Sequence, residues 1–296
     1  MAIDSSRVPV PVKRIAHLGS RSYGRLTAPA RMLPSFLICG GQRCGTTSLY
    51  RALAAHPVVL KAVLHKGVHY FDLAYHRGLG WYRGHFPLLR AATRVEREYG
   101  YPAQTFESSP YYMYHPLAMG RIVRDLPGVR VVVLVRDPVE RAYSQHAHEV
   151  ARGFETEVSF ARALELEPAR LRGQEERLRR DASYYSFSHQ HHAYTARGQY
   201  VDYLEELATQ VGRERIHVVD SERFFVEPEL VYDEVLDFLD LPLPFEIGAE
   251  YPRFSRHNAR PRDGMDPVVR DRLVDYFEPY DARLGHWLGR RPWWRS

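Results

Sequence analysis

Short apolar runs alternate with helical patterns along most of this chain of 296 residues. Nearly continuous apolar runs at 35–40 and 129–135 are typical of parallel strands that are covered on both faces. Shorter runs at 58–64 and 215–219 predict two more strands. Apolar residues at helical spacing predict helices at 46–56, 116–126, 139–152, 200–211, 228–239 and from 267 to about 276. This alternation predicts a three-layer α/β/α fold around a central parallel sheet.

Two regions fall outside this alternation. Residues 1–33 lack periodicity and are punctuated by serine, proline and glycine, so we expect a loosely ordered arm before a single domain at 34–296. Residues from about 155 to 180 are dense in arginine and glutamate with interspersed leucines, which predicts a charged helical insertion. That insertion is either a solvated amphipathic helix or a functional element, namely a lid or an acceptor-binding flank.

Composition narrows the class of protein. The chain has no apolar stretch near the ~20 residues that a membrane helix needs, and its N-terminus has no apolar signal core, so we expect a cytoplasmic protein. The two cysteines, Cys39 and Cys44, form neither a disulfide framework nor a metal-ligand pattern, so no metal is expected. A formal charge of +5 suits an anionic ligand, and we expect no nucleic-acid partner.

A glycine loop follows the first predicted strand. Gly40 and Gly45 have the spacing of a nucleotide phosphate loop, and Thr46 opens the next helix, where backbone amides can hold an anion. In a nucleoside-triphosphate loop the residue after the second glycine is a lysine that contacts the β- and γ-phosphates. Here that residue is Thr46, although Arg43 within the loop supplies a positive charge. The loop therefore favours an anion other than a magnesium-bound triphosphate.

A second candidate for anion binding lies at the end of the strand predicted at 129–135. Arg136 follows this strand, where a triphosphatase more often has a magnesium-binding aspartate. Ser144 lies in the helix that comes next, so both side chains can grip a phosphate. An arginine at this strand end favours an anion over a metal.

Together the two motifs resemble those of the sulfotransferases that use 3′-phosphoadenosine 5′-phosphosulfate (PAPS), especially the bacterial branch similar to heparan-sulfate sulfotransferases. The run at 41–49, Gly-Gln-Arg-Cys-Gly-Thr-Thr-Ser-Leu, looks like that family's 5′-phosphosulfate loop. The run at 136–144 looks like its 3′-phosphate motif, Arg-x-Pro-x-x-Arg-x-x-Ser. Likenesses to later landmarks of the family extend the resemblance over most of the chain, at 197–200, 221–241 and 257–260.

The resemblance implies a P-loop-like site for PAPS and a role for each motif residue. Arg43 stands where many members have the lysine that stabilises the bridging oxygen as the sulfuryl group departs. Arg136 and Ser144 would hold the 3′-phosphate, and Arg260 would close over the nucleotide. The residues implied to form the 5′ side of the donor site are Gly41, Gln42, Arg43, Cys44, Gly45, Thr46, Thr47 and Ser48.

The acceptor side departs from the family pattern. The run that begins at Lys66, Lys-Gly-Val-His-Tyr-Phe-Asp, resembles a family segment, Lys-Glu-x-His-Phe-Phe-Asp, whose glutamate is the expected base, but Gly67 stands at that position. His69 is the first candidate for the missing base, because its ordinary pKa of about 6.5 suits proton transfer at neutral pH. Glu107 is the second candidate, next to Ser108, which replaces a family lysine. Lys66 is a candidate source of positive charge.

Alternatives remain open at this point. Each candidate base has an equally open structural alternative. His69 could bond to Asp72, and Glu107 could pair with an arginine, without either taking part in catalysis. The resemblance implies transfer of a sulfuryl group to a hydroxyl or amine of a glycan or other small acceptor. The competing interpretations are a P-loop nucleotide kinase and a donor-binding protein with little catalysis. Neither the acceptor nor the oligomeric state follows from the sequence.

Overall fold

A single parallel sheet forms the centre of the molecule. The structure, a computed structural model, describes residues 23–63, 65–257 and 264–296. The strands are Phe36–Gly40 (β1), Val59–Lys61 (β2), Gln104–Ser108 (β3), Arg130–Val135 (β4) and Ile216–Asp220 (β5). They pair in the order β2-β3-β1-β4-β5, with helices on both sides of the sheet. The predicted three-layer α/β/α fold is confirmed.

Helices connect and cover these strands. Those in the first half of the chain are Thr46–Leu53 (α1), Tyr70–Leu73 (α2), Leu79–Arg83 (α3), Leu89–Tyr99 (α4), Ala118–Asp125 (α5) and Pro138–Ala151 (α6). Those in the second half are Phe160–Leu171 (α7), Gln174–Arg180 (α8), Phe187–His191 (α9), Tyr200–Val211 (α10), Ser221–Val226 (α11), Pro228–Phe238 (α12) and Pro267–Leu288 (α13). The predicted bounds of α1, α5, α6, α10 and α12 agree with the structure to within three residues.

Two elements differ from the sequence-based expectation. β3 was not predicted, because its buried positions include the polar residues Thr105 and Glu107 and it therefore lacks an apolar run. The helix α13 is much longer than predicted, since Pro279 lies inside it without ending it. It ends at Gly289, whose left-handed backbone with φ of 71° is typical of a helix C-terminus.

Part of the predicted N-terminal arm packs on the domain. Arg31 is buried, and its Nη1 donates to the carbonyl oxygen of Phe86 at 2.6 Å. Met32 belongs to the apolar core. Packing against the domain therefore begins before Pro34, while residues 1–22 lie outside the described part of the chain.

The predicted charged insertion consists of two helices, α7 and α8, separated at Gly173. Its buried carboxylates attach it to the rest of the domain. Glu155 forms an ion pair of 2.6 Å with Arg170 and accepts a hydrogen bond of 2.7 Å from the hydroxyl of Tyr194. Glu167 accepts the backbone amide of Thr195 at 2.8 Å. The insertion is thus partly built into the core, and it is not solvated on all sides.

The carboxyl ends of neighbouring strands meet at one edge of the sheet. β1 pairs with β3 on one side and with β4 on the other. After β1 the chain adds β2 and β3 on one side of it, and it then crosses to the other side to form β4 and β5. Ligands of open parallel sheets bind at this kind of reversal in strand order, beyond the carboxyl ends. The glycine loop after β1 and Arg136 after β4 both lie there.

Candidate active site

One cavity of about 370 Å³ opens at this edge of the sheet. The side chains that reach it from the glycine loop and α1 are Gln42, Arg43, Thr46 and Thr47. Those from the end of β4 and from α6 are Arg136, Ser144 and His148. Its remaining lining residues are Gly45, Lys66, Pro110, Ser221, Glu222, Phe225, Arg256 and His257. The two anion-binding motifs predicted from the sequence therefore face one common space.

The glycine loop is held against β4 by its backbone. Gly40 has a φ of 119°, and a side chain there would collide with the carbonyl oxygen of Leu134. The amide of Gly41 donates to that same oxygen at 3.0 Å. Because the loop runs so close to β4, Arg43 comes within reach of α6, and its Nε donates to the hydroxyl oxygen of Ser144 at 3.0 Å.

Arg136 joins the second motif to the loop. Its Nη1 donates to the carbonyl oxygen of Arg43 at 3.3 Å, and its Nε lies 3.6 Å from the carboxylate of Glu222. The backbone amide of Asp137 also donates to Glu222, at 3.2 Å. Burial raises the pKa of Glu222, against the opposing effect of Arg136. Two cationic side chains, Arg43 and Arg136, are thereby fixed on one wall of the cavity.

Lys66 reaches the loop from the acceptor-side segment. Its ammonium donates to the hydroxyl oxygens of Thr46 at 3.0 Å and Thr47 at 3.1 Å. The same group lies 6.0 Å from the centre of the Tyr50 ring. Burial lowers the pKa of Lys66 to about 7, because desolvation disfavours its charged form. An anion bound in the cavity would counter that effect and favour the charged form.

Three of the predicted donor-site residues do not line the cavity. Cys44 is buried with its Sγ 3.6 Å from the hydroxyl of Tyr200, and burial raises the pKa of its thiol to about 11. The hydroxyl of Ser48 accepts the amide of His257 at 3.2 Å, and Gly41 contacts β4 as described above. These residues shape the loop. Arg260 lies outside the described residues.

His69 follows the cavity-lining Lys66 by three residues and is held in a constrained position. Its φ of 54° is left-handed, and its Nδ1 lies 2.8 Å from a carboxylate oxygen of the buried Asp72. Its amide donates to the hydroxyl oxygen of Ser109 at 3.3 Å, next to the cavity-lining Pro110. Burial acts to lower the pKa of His69, but Asp72 outweighs it, so the net shift is upward. The ring remains 41% exposed.

Glu107 is buried beneath this segment and is fully engaged. One carboxylate oxygen accepts the amide of Val68 at 2.5 Å and the hydroxyl of Ser109 at 2.8 Å. The other accepts the hydroxyls of Tyr82 and Tyr112, both at 2.8 Å. Burial raises the pKa of Glu107 despite these donors. The described residues that line the cavity include neither Glu107 nor His69.

The structure explains why glycine stands at position 67. A Cβ on Gly67 would lie 2.6 Å from the carbonyl oxygen of Ser108 and 2.8 Å from the hydroxyl oxygen of Ser109. The amide of Ser108 donates to the carbonyl oxygen of Lys66 at 2.9 Å, which holds the two segments together. The glutamate of the resembling family segment does not fit this backbone.

Several cavity residues were not predicted as site residues. Ser221 and Glu222 directly follow β5, so their position at a strand end could have indicated them. His148 comes four residues after Ser144 on α6, so helical spacing could have placed it on the same face. The guanidinium of Arg256 lies 4.6 Å from the centre of the Phe225 ring, and no local pattern indicated that contact.

Within 23–63, 65–257 and 264–296, no group of three or more histidine, cysteine, aspartate or glutamate residues could hold a metal ion. Among the helices in those same ranges, none combines the length and the apolar character needed to cross a membrane.

The chain is similar to known proteins both in sequence and in structure. The profile of the sulfotransferase domain matches residues 33–257. Human heparan sulfate glucosamine 3-O-sulfotransferase 5 is 25% identical over 315 residues, covering 93% of this chain and 78% of that protein. Human bifunctional heparan sulfate N-deacetylase/N-sulfotransferase 3 is 26% identical over 76% of this chain, which spans only 24% of that relative.

A solved structure agrees with these matches. The crystal structure of a sulfotransferase from Alicyclobacillus acidocaldarius superposes with a TM-score of 0.64 at 27% identity, covering 90% of this chain and all of the other. The alternative of a nucleotide kinase is not favoured by these comparisons. Because the domain profile spans most of the chain and includes both anion-binding motifs, the protein belongs to the sulfotransferase family.

Proposed function

We propose that this sulfotransferase moves a sulfuryl group from PAPS to a hydroxyl or amine of a glycan or related small acceptor. The observation that carries the proposal is the convergence of Arg43 and Arg136 on one cavity, linked by the hydrogen bond from Arg136 to the carbonyl oxygen of Arg43. PAPS carries anionic groups on both its 5′ and 3′ sides. It therefore needs two cationic anchors facing a common space.

On the 5′ side, Arg43 and Lys66 supply positive charge and Thr46 and Thr47 supply hydroxyl groups. Charge placed near the bridging oxygen stabilises the negative charge that develops there as the sulfur–oxygen bond breaks. Arg43 serves this role with a planar guanidinium that also contacts Ser144, unlike a compact ammonium group. Lys66 adds a second cation within reach of both threonines.

On the 3′ side, Arg136 and Ser144 bind the phosphate that distinguishes PAPS from ATP. Glu222 orients Arg136 through the ion pair at its Nε. Phe225, backed by Arg256, offers an aromatic face on which the adenine can stack. Arg260 keeps its role as a proposed closing residue of the neighbouring segment.

In the transfer step, an acceptor oxygen or nitrogen attacks sulfur in line with the leaving phosphate. The new bond forms at sulfur, the bond to the 5′-phosphate oxygen breaks, and 3′-phosphoadenosine 5′-phosphate (PAP) leaves. The acceptor proton passes to Nε2 of His69, because Nδ1 is directed to Asp72 and that contact leaves Nε2 as the acceptor. Glu107 holds Val68 and Ser109 around His69 and is assigned a positioning role.

The acceptor class is proposed from the relatives and from charge. Two relatives are named for heparan sulfate, an acidic glycan, and this chain carries a formal charge of +5. A basic protein attracts an acidic acceptor through long-range electrostatics. We therefore place acidic glycans first among the candidate acceptors.

Donor recognition is tested by thermal unfolding with PAP and, separately, with ADP and magnesium. A ligand that binds the folded protein raises Tm, and the stabilisation grows with the logarithm of the ratio of its concentration to its Kd. PAP is expected to raise Tm and ADP with magnesium to leave it unchanged. Stabilisation by ADP with magnesium but not by PAP would contradict the proposed donor.

Transfer is tested by incubating the full chain with PAPS and a panel of acceptors. The panel contains desulfated heparan sulfate oligosaccharides and small hydroxylated or amine-bearing metabolites. Mass spectrometry is expected to show the gain of one SO₃ on a glycan, with an equal amount of PAP released. PAP binding without sulfation of any panel member would instead favour a donor-binding protein with little catalysis.

A further inference from the structure

Gln42, in the glycine loop, is held at both ends of its side-chain amide. Its Nε2 donates to a carboxylate oxygen of Glu149 at 2.6 Å, and its Oε1 accepts from Nη1 of Arg197 at 3.0 Å. Glu149 and Arg197 are both buried, and Gln42 itself lines the cavity. An amide placed between an anion and a cation has one orientation that satisfies both partners.

Glu149 is itself anchored. Its second carboxylate oxygen lies 3.0 Å from Nδ1 of His191, whose Nε2 lies 3.2 Å from the hydroxyl of Tyr185. Burial acts to raise the pKa of Glu149, but its hydrogen bonds to His191 and Gln42 outweigh burial and lower it. A buried carboxylate that stays ionised is a strong and directional partner for the loop.

Arg197 connects the loop to the opposite side of the cavity. Its Nη2 donates to the carbonyl oxygen of Gln190 at 2.6 Å, and its guanidinium lies 4.8 Å and 4.9 Å from the ring centres of Tyr111 and Tyr114. Tyr111 follows the cavity-lining Pro110. The segment that precedes them carries the hydroxyl group of Ser109, which accepts the amide of His69.

The loop needs this support because Arg43, the residue after Gln42, has a left-handed φ of 76°. For a residue other than glycine, that conformation is unfavourable and persists only where surrounding contacts impose it. The hydrogen bond from Arg136 fixes Arg43 from one side. The contacts of Gln42 fix the preceding residue.

We infer that Glu149 and Arg197 are positioning residues, which hold the phosphosulfate loop in its donor-binding conformation by fixing the side chain of Gln42. Neither is among the described residues that line the cavity, so they act through Gln42. Arg197 also keeps the loop in register with the segment around His69. This inference rests on the proposed function, because it assumes that the loop binds the 5′ end of PAPS.

The test exchanges the amide and the carboxylate. Gln42→Glu places a second carboxylate next to that of Glu149. Repulsion between groups in contact is strong enough to displace the loop and weaken PAP binding by about tenfold. The double variant Gln42→Glu with Glu149→Gln restores one amide–carboxylate pair and gives residue 42 an ion pair with Arg197. It is expected to recover part of the affinity that Gln42→Glu loses, and the remaining loss reflects the negative charge that residue 42 then brings to the cavity. Isothermal titration calorimetry on the full chain at fixed salt measures these affinities.

A matched control is available on the surface. Gln210 donates to a carboxylate oxygen of Glu206 at 3.4 Å on the exposed side of α10. Gln210→Glu makes the same chemical change next to a carboxylate but away from the cavity, and PAP affinity is expected to stay unchanged. If Gln42→Glu does not fold, Gln42→Ala removes the amide without adding charge and is expected to weaken PAP binding severalfold.

The outcomes separate this inference from the proposed function. Wild-type protein that fails to bind PAP would overturn the proposed donor, whatever the variants do. PAP binding by wild type together with unchanged binding by Gln42→Glu, or by Gln42→Ala in its place, would overturn the inference alone. A variant that lowers Tm of the empty protein without changing PAP affinity shows a purely structural role, and that also overturns it. Failure of the double variant to recover affinity excludes the exchange of partners on which the inference depends.

Discussion

The donor side and the acceptor side of the cavity are built in different ways. On the donor side, Arg43 and Arg136 follow directly from the ends of β1 and β4, and their positions are set by strand pairing and by the turn that each strand enters. On the acceptor side, His69 is positioned by the side chains of Asp72 and Ser109, with Glu107 beneath it. The donor-side charges are therefore fixed mainly by backbone geometry, whereas the histidine of the acceptor side depends on contacts with buried side chains.

Lys66 belongs to both sides. It lies in the acceptor-side segment, yet its ammonium donates to Thr46 and Thr47 on the donor side. The cation that the family pattern places at position 108 is absent here, and Lys66 provides positive charge in the same cavity. The two sides therefore share one titratable group, whose charge depends on what the cavity contains.

The largest expected effect is loss of the base on the acceptor side. His69→Gln should lower kcat by between about 10² and 10⁴, the usual contribution of general base catalysis, while PAP affinity is unchanged. His69 accepts a proton only when neutral, and Asp72 raises its pKa, so the rate should rise with pH through a pKa above the ordinary value. In Asp72→Asn that rise should move to lower pH. Steady-state kinetics across pH measures both.

Glu107→Gln is the control for that prediction, because it removes the second candidate base from the acceptor side. Glu107 is held by four donors, so its loss should lower stability. The rate should still rise with pH, with the rise moved to lower pH because Glu107 contributes to the raised pKa of His69. If His69→Gln kept the wild-type pH profile while Glu107→Gln abolished it, the assignment of the base would be reversed.

The next largest effect is expected on the donor side. Arg43→Ala should lower kcat by about 10² to 10³, because one preorganised charge near the leaving oxygen is worth that much. Arg43→Lys should recover part of the rate, since an ammonium supplies the charge but cannot also keep the contact with Ser144 in the same geometry. Single-turnover measurements with PAPS test this. A rate for Arg43→Ala equal to wild type would mean that Lys66 alone stabilises the leaving group.

The same comparison shows how far the sequence could predict the site. The convergence of Arg43, Arg136 and Ser144 follows from strand–loop–helix geometry, which is local and readable from apolar runs and glycine spacing. The hydrogen bonds of Gln42 join it to Glu149 and Arg197, which lie more than a hundred positions further along the chain. No local sequence pattern therefore predicts them. The residues of β3 were equally hidden, because a strand whose buried positions include Thr105 and Glu107 has no apolar run.

A smaller effect is expected from the titration of Lys66. Its pKa of about 7 in the empty cavity rises when an anion binds, so PAP binding should take up protons and weaken as pH increases above 7. The slope should approach about tenfold per pH unit for one proton. Calorimetry in buffers of different ionisation enthalpy counts the protons. Lys66→Arg should abolish this dependence, because arginine stays charged over the whole range; a slope that survives it would belong to another group.

Burial of the charged Lys66 should also lower the free energy of unfolding of the protein without ligand. The pKa of Lys66 is lower in the folded protein than in the unfolded chain. The destabilisation is therefore complete below pH 7 and disappears as pH rises towards the ordinary pKa of lysine. Lys66→Met should therefore raise Tm at pH 6.5, with a gain that shrinks at alkaline pH, while PAP binding is lost. A Tm below wild type at pH 6.5 would show that the bonds to Thr46 and Thr47 outweigh the burial of charge.

The smallest expected effect tests how rigid the acceptor side is. Gly67→Ala forces a Cβ to within 2.6 Å of the carbonyl oxygen of Ser108, and overpacking of this kind typically costs about 1–3 kcal/mol of unfolding free energy. Gly80→Ala is the matched control, because Gly80 is exposed in α3 with nothing within 4 Å of its Cβ position, and the change should be neutral or stabilising. Denaturant unfolding measures both variants.

If Gly67→Ala proved as stable as wild type, the backbone could shift to admit a side chain, and Gly67→Glu should then restore the family's base and rescue His69→Gln. If Gly67→Ala is destabilised as expected, the segment is rigid and a glutamate there has no productive position, which supports the proposal that His69 is the base.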